Sequence, residues 1–234
     1  MRWQGGAVGV AIALLIAFAS LLLMGFGLGE LIRLTLSGGD LRLERHLAAN
    51  PGVLRTPMQG VTYLGSSVIV LTVMAVAAAV CVWNSSRREA LMLVVVVAGA
   101  FLLYTTIKDL VDRPRPPVPH LANAGGASFP SGHSTQAAAI YGALAYVVAR
   151  HRPRTHALLS WVSAALLILM ISWSRLFLGV HYPSDVAGGV LIGTLWAAVT
   201  VAVLFGPRTR SVQKLANRSP AGSGIDDPSG GGER

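Results

Sequence analysis

Charge-free apolar runs alternate along the chain with short polar segments. Six windows stand out: residues 3–29, 56–86, 90–107, 134–149, 157–174 and 186–207. A helix crosses a hydrocarbon core with about 17 to 25 predominantly apolar residues. The pattern therefore predicts an all-α integral membrane protein, a six-transmembrane-helix bundle forming one domain over residues 1–206. The first window follows Arg2, and its apolar run is far longer than the roughly 7 to 15 residues of a signal peptide's core, so it reads as an uncleaved span. Residues 40–58, "DLRLERHLAANPGVLRTPM", mix charges with leucines and fit an interfacial helix on the outer surface or a plain loop. The segment 207–234 has almost no core-forming residues and is expected to be a disordered cytoplasmic tail. No internal repeat points to an inverted-repeat transporter.

Composition agrees with lipid as the solvent, since 53% of residues are hydrophobic and 12% charged. The net charge of +9 could suggest nucleic acid, but no basic run is interleaved with aromatic residues. Topology and attraction to anionic lipid account for it instead. Of the 19 basic residues, eleven fall on the side that holds both termini and the compact loops "SSRRE" and "ARHRPRTH". The excess predicts that side to be cytoplasmic. Cys81 is the only cysteine, which excludes an intrachain disulfide and a cysteine metal site.

Ionisable residues at the ends of spans are costly and are functional candidates by default. Three polar clusters lie at span ends, all on the predicted outer side: "KDLVDRPRP" from Lys108, "SFPSGHS" around His133, and "SRLFLGVHYPSD" from Ser174 to Asp185. Pro130, Ser131 and Gly132 read as the start of the fourth span, whose exposed backbone N–H groups suit an anion. Pro183 suits the first turn of the sixth, which brings the Asp185 carboxylate within reach of His181. Together the clusters supply three fixed cations (Lys108, Arg115 and Arg175), donors from Ser131 and Gly132, two imidazoles and one carboxylate. That set suits the holding and transfer of a tetrahedral oxyanion.

In these residues the chain resembles the type 2 phosphatidic acid phosphatases, which share their site with vanadium-dependent haloperoxidases and glucose-6-phosphatase. The matching pattern is Lys108, six residues, Arg115 and Pro116; then Pro130, Ser131, Gly132 and His133; then Ser174, Arg175, five residues, His181, three residues and Asp185. The resemblance implies a metal-independent lipid phosphatase with no cofactor. His181 is its implied nucleophile, forming a phosphohistidine, with Asp185 fixing the tautomer and His133 protonating the leaving oxygen. Lys108, Arg115, Ser131, Gly132 and Arg175 are the implied phosphate ligands. The expected partner is a membrane lipid phosphate or diphosphate at the outer face: phosphatidate, phosphatidylglycerol phosphate or a polyprenyl diphosphate of envelope synthesis.

The competing functions are a vanadate-dependent haloperoxidase, a non-catalytic lipid-phosphate-binding protein and a six-span transporter. The apolar spans argue against the first, because a lipid substrate gives them a purpose; the intact His133, His181 and Asp185 set argues against the second. Outside the pattern, Asp109 and Asp112 are expected to neutralise neighbouring cations and Arg113 to meet the surface or a headgroup. His46, His120, His151 and His156 are expected in solvent, and Trp173 and Tyr182 at an aromatic belt.

Overall fold

The computed structural model describes residues 7–48 and 52–206, so the expected tail at 207–234 lies outside the described residues. The described residues form eight α-helices: α1 (Ala7–Thr35), α2 (Ser37–Ala48), α3 (Arg55–Tyr63), α4 (Ser67–Trp83), α5 (Arg87–Val111), α6 (Gly132–His151), α7 (Arg154–Phe177) and α8 (Pro183–Phe205). No strand occurs among the described residues. Helices α1, α5, α7 and α8 are long and apolar enough to cross a membrane, and α3 with α4 makes a fifth such length if the pair is one span. Their outer surfaces carry exposed aliphatic side chains, including Leu15, Val68, Leu158 and Leu169. Such a surface is at home in hydrocarbon, where helices satisfy their own backbone.

Helix α6, expected as a span, is not among the helices that pass on length and hydropathy. It packs against α4, α5, α7 and α8, and its Ser134, Thr135 and Gln136 are buried by those neighbours. A helix enclosed by others does not have to be uniformly apolar, which is why this one reads weakly by hydropathy. Close packing continues on α8, where Trp196 is buried, meets Phe18 edge-on with ring centroids 5.7 Å apart, and donates from Nε1 to the Val96 carbonyl at 3.1 Å.

The window 56–86 is not one straight helix. It bends by 43° between α3 and α4. The Ser66 hydroxyl accepts from the Ile69 N–H to start α4, and Tyr141 donates to the Leu64 carbonyl freed at the break, at 2.7 Å. Gly65 is needed there: a Cβ would lie 2.6 Å from Ile171 Cγ2 and 3.1 Å from His133 Cδ2. The break thus lets Gly65 pack directly against His133, near the start of α6.

The stretch expected as an interfacial helix or a loop contains α2, which packs on α1, α7 and α8, and α3, which packs on α7. Both lie at the end of the bundle where α5 and α7 finish and α6 and α8 begin. All three polar clusters are at that end. The opposite end is tied by Glu89, which meets Arg150 at 3.4 Å and the exposed His151 at 3.5 Å.

Candidate active site

The loop 112–131 runs across this end of the bundle. It leaves α5 through Asp112, which has a left-handed backbone with φ 43°, and it returns at Ser131, the N-cap of α6. The Leu121 N–H donates to the Leu178 carbonyl at 2.9 Å, and the Ser131 N–H to the Asp185 carbonyl at 3.0 Å. Gly179, with φ +72°, turns the chain between α7 and α8 where the Pro119 carbonyl leaves no room for a Cβ. These ties hold the three clusters together.

Lys108 donates from Nζ to the Ala127 carbonyl at 2.5 Å. Arg115 spreads its guanidinium over four carbonyls, those of Gly126 at 3.0 Å, Gly125 at 2.7 Å, Val180 at 2.6 Å and Ala127 at 3.4 Å. Its Nη1 also lies 3.4 Å from His181 Nε2. Arg175 is buried, donates from Nη1 to Thr62 Oγ1 at 2.7 Å, and keeps a buried Nε without a partner. Lys108, Arg115 and Arg175 are all within electrostatic reach of His133. Ser131 is buried and accepts from the Ser134 hydroxyl at 3.1 Å, while Gly132 opens α6 beside it. The structure therefore brings Lys108, Arg115, Ser131, Gly132, His133, Arg175, His181 and Asp185 into one cluster.

His181 lies between α7 and α8 and is almost wholly buried. Burial drives its imidazole down to about 3; the adjacent Asp185 opposes this, and Lys108 and Arg175 reinforce it. The ring is neutral at physiological pH, as a nitrogen nucleophile must be. Asp185 sits in the first turn of α8, with Pro183 opening that helix. Its Oδ2 is 3.6 Å from His181 Nδ1, just outside hydrogen-bond range, because that oxygen accepts from the Tyr182 N–H at 2.9 Å and from the Ser128 hydroxyl. Among the described residues no group of three or more His, Cys, Asp or Glu side chains is arranged to hold a metal ion.

Arg113 corrects the expectation of a surface or headgroup contact. It is 2% exposed and bridges two buried carboxylates, Asp185 from Nη1 at 2.5 Å and Asp40 of α2 from Nη2 at 2.8 Å. Ser184 joins the network by accepting from Arg113 Nη1 at 2.8 Å and donating to Asp40. Tyr182 is no belt residue either, since it is buried with the Arg113 guanidinium 4.2 Å from its ring centroid. Asp109 and Asp112 are exposed, and Asp109 is within electrostatic reach of Lys108, as expected, while His120 stays at the surface 3.0 Å from the Pro116 carbonyl.

Glu44 of α2 lies beside this network, fully buried with neither carboxylate oxygen partnered. Burial pushes its carboxyl up to about 8, and Asp185 and Asp40 push the same way. The folded protein keeps this proton up to about pH 8, whereas the unfolded chain loses it near 4.5. Stability is therefore lost as pH rises through that window. Glu44→Gln is expected to gain about 1–2 kcal/mol at pH 8, allowing for solvent screening, and little at pH 4.5. Thermal unfolding in detergent at the two pH values checks this; an equal gain at both would show that Glu44 is not a buried acid.

The PAP2 superfamily model matches residues 89–208. Phosphatidylglycerophosphatase B of Bacillus subtilis is 32% identical over 144 residues, which cover 61% of this chain and 71% of that protein. Decaprenylphosphoryl-5-phosphoribose phosphatase of Mycobacterium tuberculosis is 33% identical over 168 residues, covering 69% of this chain and 86% of that protein. The crystal structure of a transmembrane PAP2 type phosphatidylglycerolphosphate phosphatase from Bacillus subtilis superposes with a TM-score of 0.71 at 29% identity, over 78% of this chain and 93% of that one.

Proposed function

Because the chain belongs to the PAP2 superfamily, we propose that it is a membrane lipid phosphatase working through a phosphohistidine. The observation that carries this is the neutral, buried His181 facing a cluster of three cations. The cations and the Ser131 and Gly132 donors hold the phosphoryl oxygens, where negative charge is greatest in the transition state. His181 Nε2 attacks phosphorus while the bond to the leaving oxygen breaks. His133 gives that oxygen a proton, so the lipid departs as an alcohol or a phosphate. Asp185 stabilises the cationic phosphoimidazole. His133, now neutral, takes a proton from water, whose oxygen attacks phosphorus and releases inorganic phosphate and His181.

The topology belongs to the same proposal. Helices α1, α3 with α4, α5, α6, α7 and α8 make six spans over residues 1–206, with both termini cytoplasmic and 207–234 a cytoplasmic tail. The excess of Arg and Lys in the loops opposite the site supports this orientation. A headgroup then enters from the outer face while its hydrocarbon chains stay in the bilayer. Phosphatidate, phosphatidylglycerol phosphate and polyprenyl diphosphates are the substrates to compare.

Phosphate release by the purified protein in detergent, with a chelator present, is the test. Release from at least one of these lipids is expected, undiminished by the chelator. Activity that the chelator abolishes and magnesium restores would replace this mechanism with a metal-dependent one.

A further inference from the structure

Arg175 is fixed differently from the other two cations of the cluster. Lys108 and Arg115 donate to backbone carbonyls of the 112–131 loop and of Val180, so the motif segments themselves hold them. Arg175 stands in the last turn of α7 and is buried. Among the described residues it makes no ion pair, and its one hydrogen-bond acceptor is the Thr62 hydroxyl, 2.7 Å from Nη1. Thr62 belongs to α3, 113 residues earlier in the chain and outside the segment 89–208 that carries the family match.

Thr62 is well placed to hold a partner still. It is 6% exposed, α3 packs on α7, and the Gly65 N–H donates to the Thr62 carbonyl at 3.0 Å. Gly65 in turn lies against Ile171 of α7 and against His133. The branched side chain of threonine is restricted at χ1, so it offers its hydroxyl oxygen in a fixed direction. With Nη1 held by that oxygen, the guanidinium keeps its Nε–Nη2 edge, and the buried Nε has no partner in the protein. That edge is the one that forks onto two oxygens of a single phosphoryl group.

We propose that Thr62 is a positioning residue of the site, aiming the Arg175 fork at the phosphoryl group; this rests on the role given to Arg175 in the proposed mechanism. Thr62 acts through Arg175 and does not touch the reacting atoms. Helix α3 thereby belongs to the site although it lies outside the three motifs. A fork that is misplaced by about 1 Å loses on the order of a hundredfold in rate, and Arg175 has no second acceptor among the described residues to limit the error.

The test is the Kd of orthovanadate, a tetrahedral phosphate analogue, by calorimetry on the full chain in detergent. It is joined by kcat and KM for whichever of the three lipids above releases phosphate fastest. Thr62→Val keeps the shape and removes the acceptor. It is expected to weaken vanadate by about tenfold or more and to lower kcat/KM by on the order of ten- to a hundredfold. Most of that loss should fall in kcat, since the fork bears the charge of the transition state. Thr62→Ala carries the same expectation and guards against misfolding of the valine variant. Thr62→Ser keeps the hydroxyl and should stay within about threefold of the wild type. Gln59→Leu removes the other polar tie of α3, from its amide to the Leu121 carbonyl at 2.7 Å. It should leave vanadate affinity within about twofold, because it shares no partner with Arg175.

Unchanged affinity and turnover in Thr62→Val and Thr62→Ala would overturn the proposal. So would no recovery in Thr62→Ser, or a Gln59→Leu as weak as Thr62→Val, which would mean that any loosening of α3 has this effect. A wild type that binds vanadate but releases phosphate from none of the lipids would refute the phosphatase reading, and the vanadate affinities would still decide the role of Thr62. A wild type that binds no vanadate would overturn both.

Discussion

His181→Ala is expected to lower phosphate release by at least about a thousandfold while the protein stays folded. No other imidazole can take its place, since His133 stands on the leaving-group side of the proposed reaction. The fold should tolerate the loss, because Asp185 keeps the Arg113, Ser128 and Tyr182 partners that hold it. A rate loss alone would not separate a nucleophile from a phosphate ligand, so the intermediate has to be trapped. Quenching the wild type during turnover should yield protein-bound phosphate that is labile to acid and stable to base, as a phosphoramidate is, and His181→Ala should yield none. His133→Ala gives the complementary result. With p-nitrophenyl phosphate, whose leaving group needs no proton, the first step should survive and the second should stall, so phosphoenzyme should accumulate. Near-normal turnover in His181→Ala, or trapped phosphate in that variant, would overturn the mechanism.

Of the residues proposed for this chemistry, those at helix starts were legible from local structure. Pro183 opens α8 and Ser131 stands at the N-cap position of α6. A reader of the sequence could therefore place His133 and Asp185 at helix starts from the residue types alone. The polar clusters announce themselves because charge at the end of a span is expensive, and few of the charged residues lie there without a reason. What the sequence hid depends on pairings through space. Arg113 looked like one more cation among Lys108 and Arg115, and only the fold shows that it joins Asp185 to Asp40, 73 residues earlier. The available signal was Asp40 itself, an acid beside a span end in a segment that otherwise reads as an amphipathic surface helix. The bend at Gly65 was equally hidden, because an apolar run carries no mark of where a neighbour such as His133 requires the backbone to part. Helix α6 was weak by hydropathy for a related reason: its polar side chains are satisfied or enclosed by helices that the sequence does not place.

That pairing leads to the second large effect. Arg113→Ala is expected to destabilise the protein by about 3–5 kcal/mol, because it leaves two buried carboxylates without their shared counter-charge. Asp40 and Asp185 are 8% and 0% exposed, so water cannot take over. For a chain of this size the thermal midpoint in detergent should fall by about 10 °C. Arg113→Lys should recover only part of the loss, since an ammonium lacks the planar fork that reaches both acids at once. Asp40→Asn separates support from charge balance: it keeps the shape and a hydrogen-bond acceptor, removes one of the two acids, and leaves Arg113 paired with Asp185. Its midpoint should therefore fall less than that of Arg113→Ala. If Arg113→Ala melts within a degree or two of the wild type, the network contributes nothing and the burial of Arg113 has another cause. If it melts as expected, α2 is held to the rest of the bundle through Arg113 and Asp185, the carboxylate beside His181, and loosening of α2 would reach His181 directly.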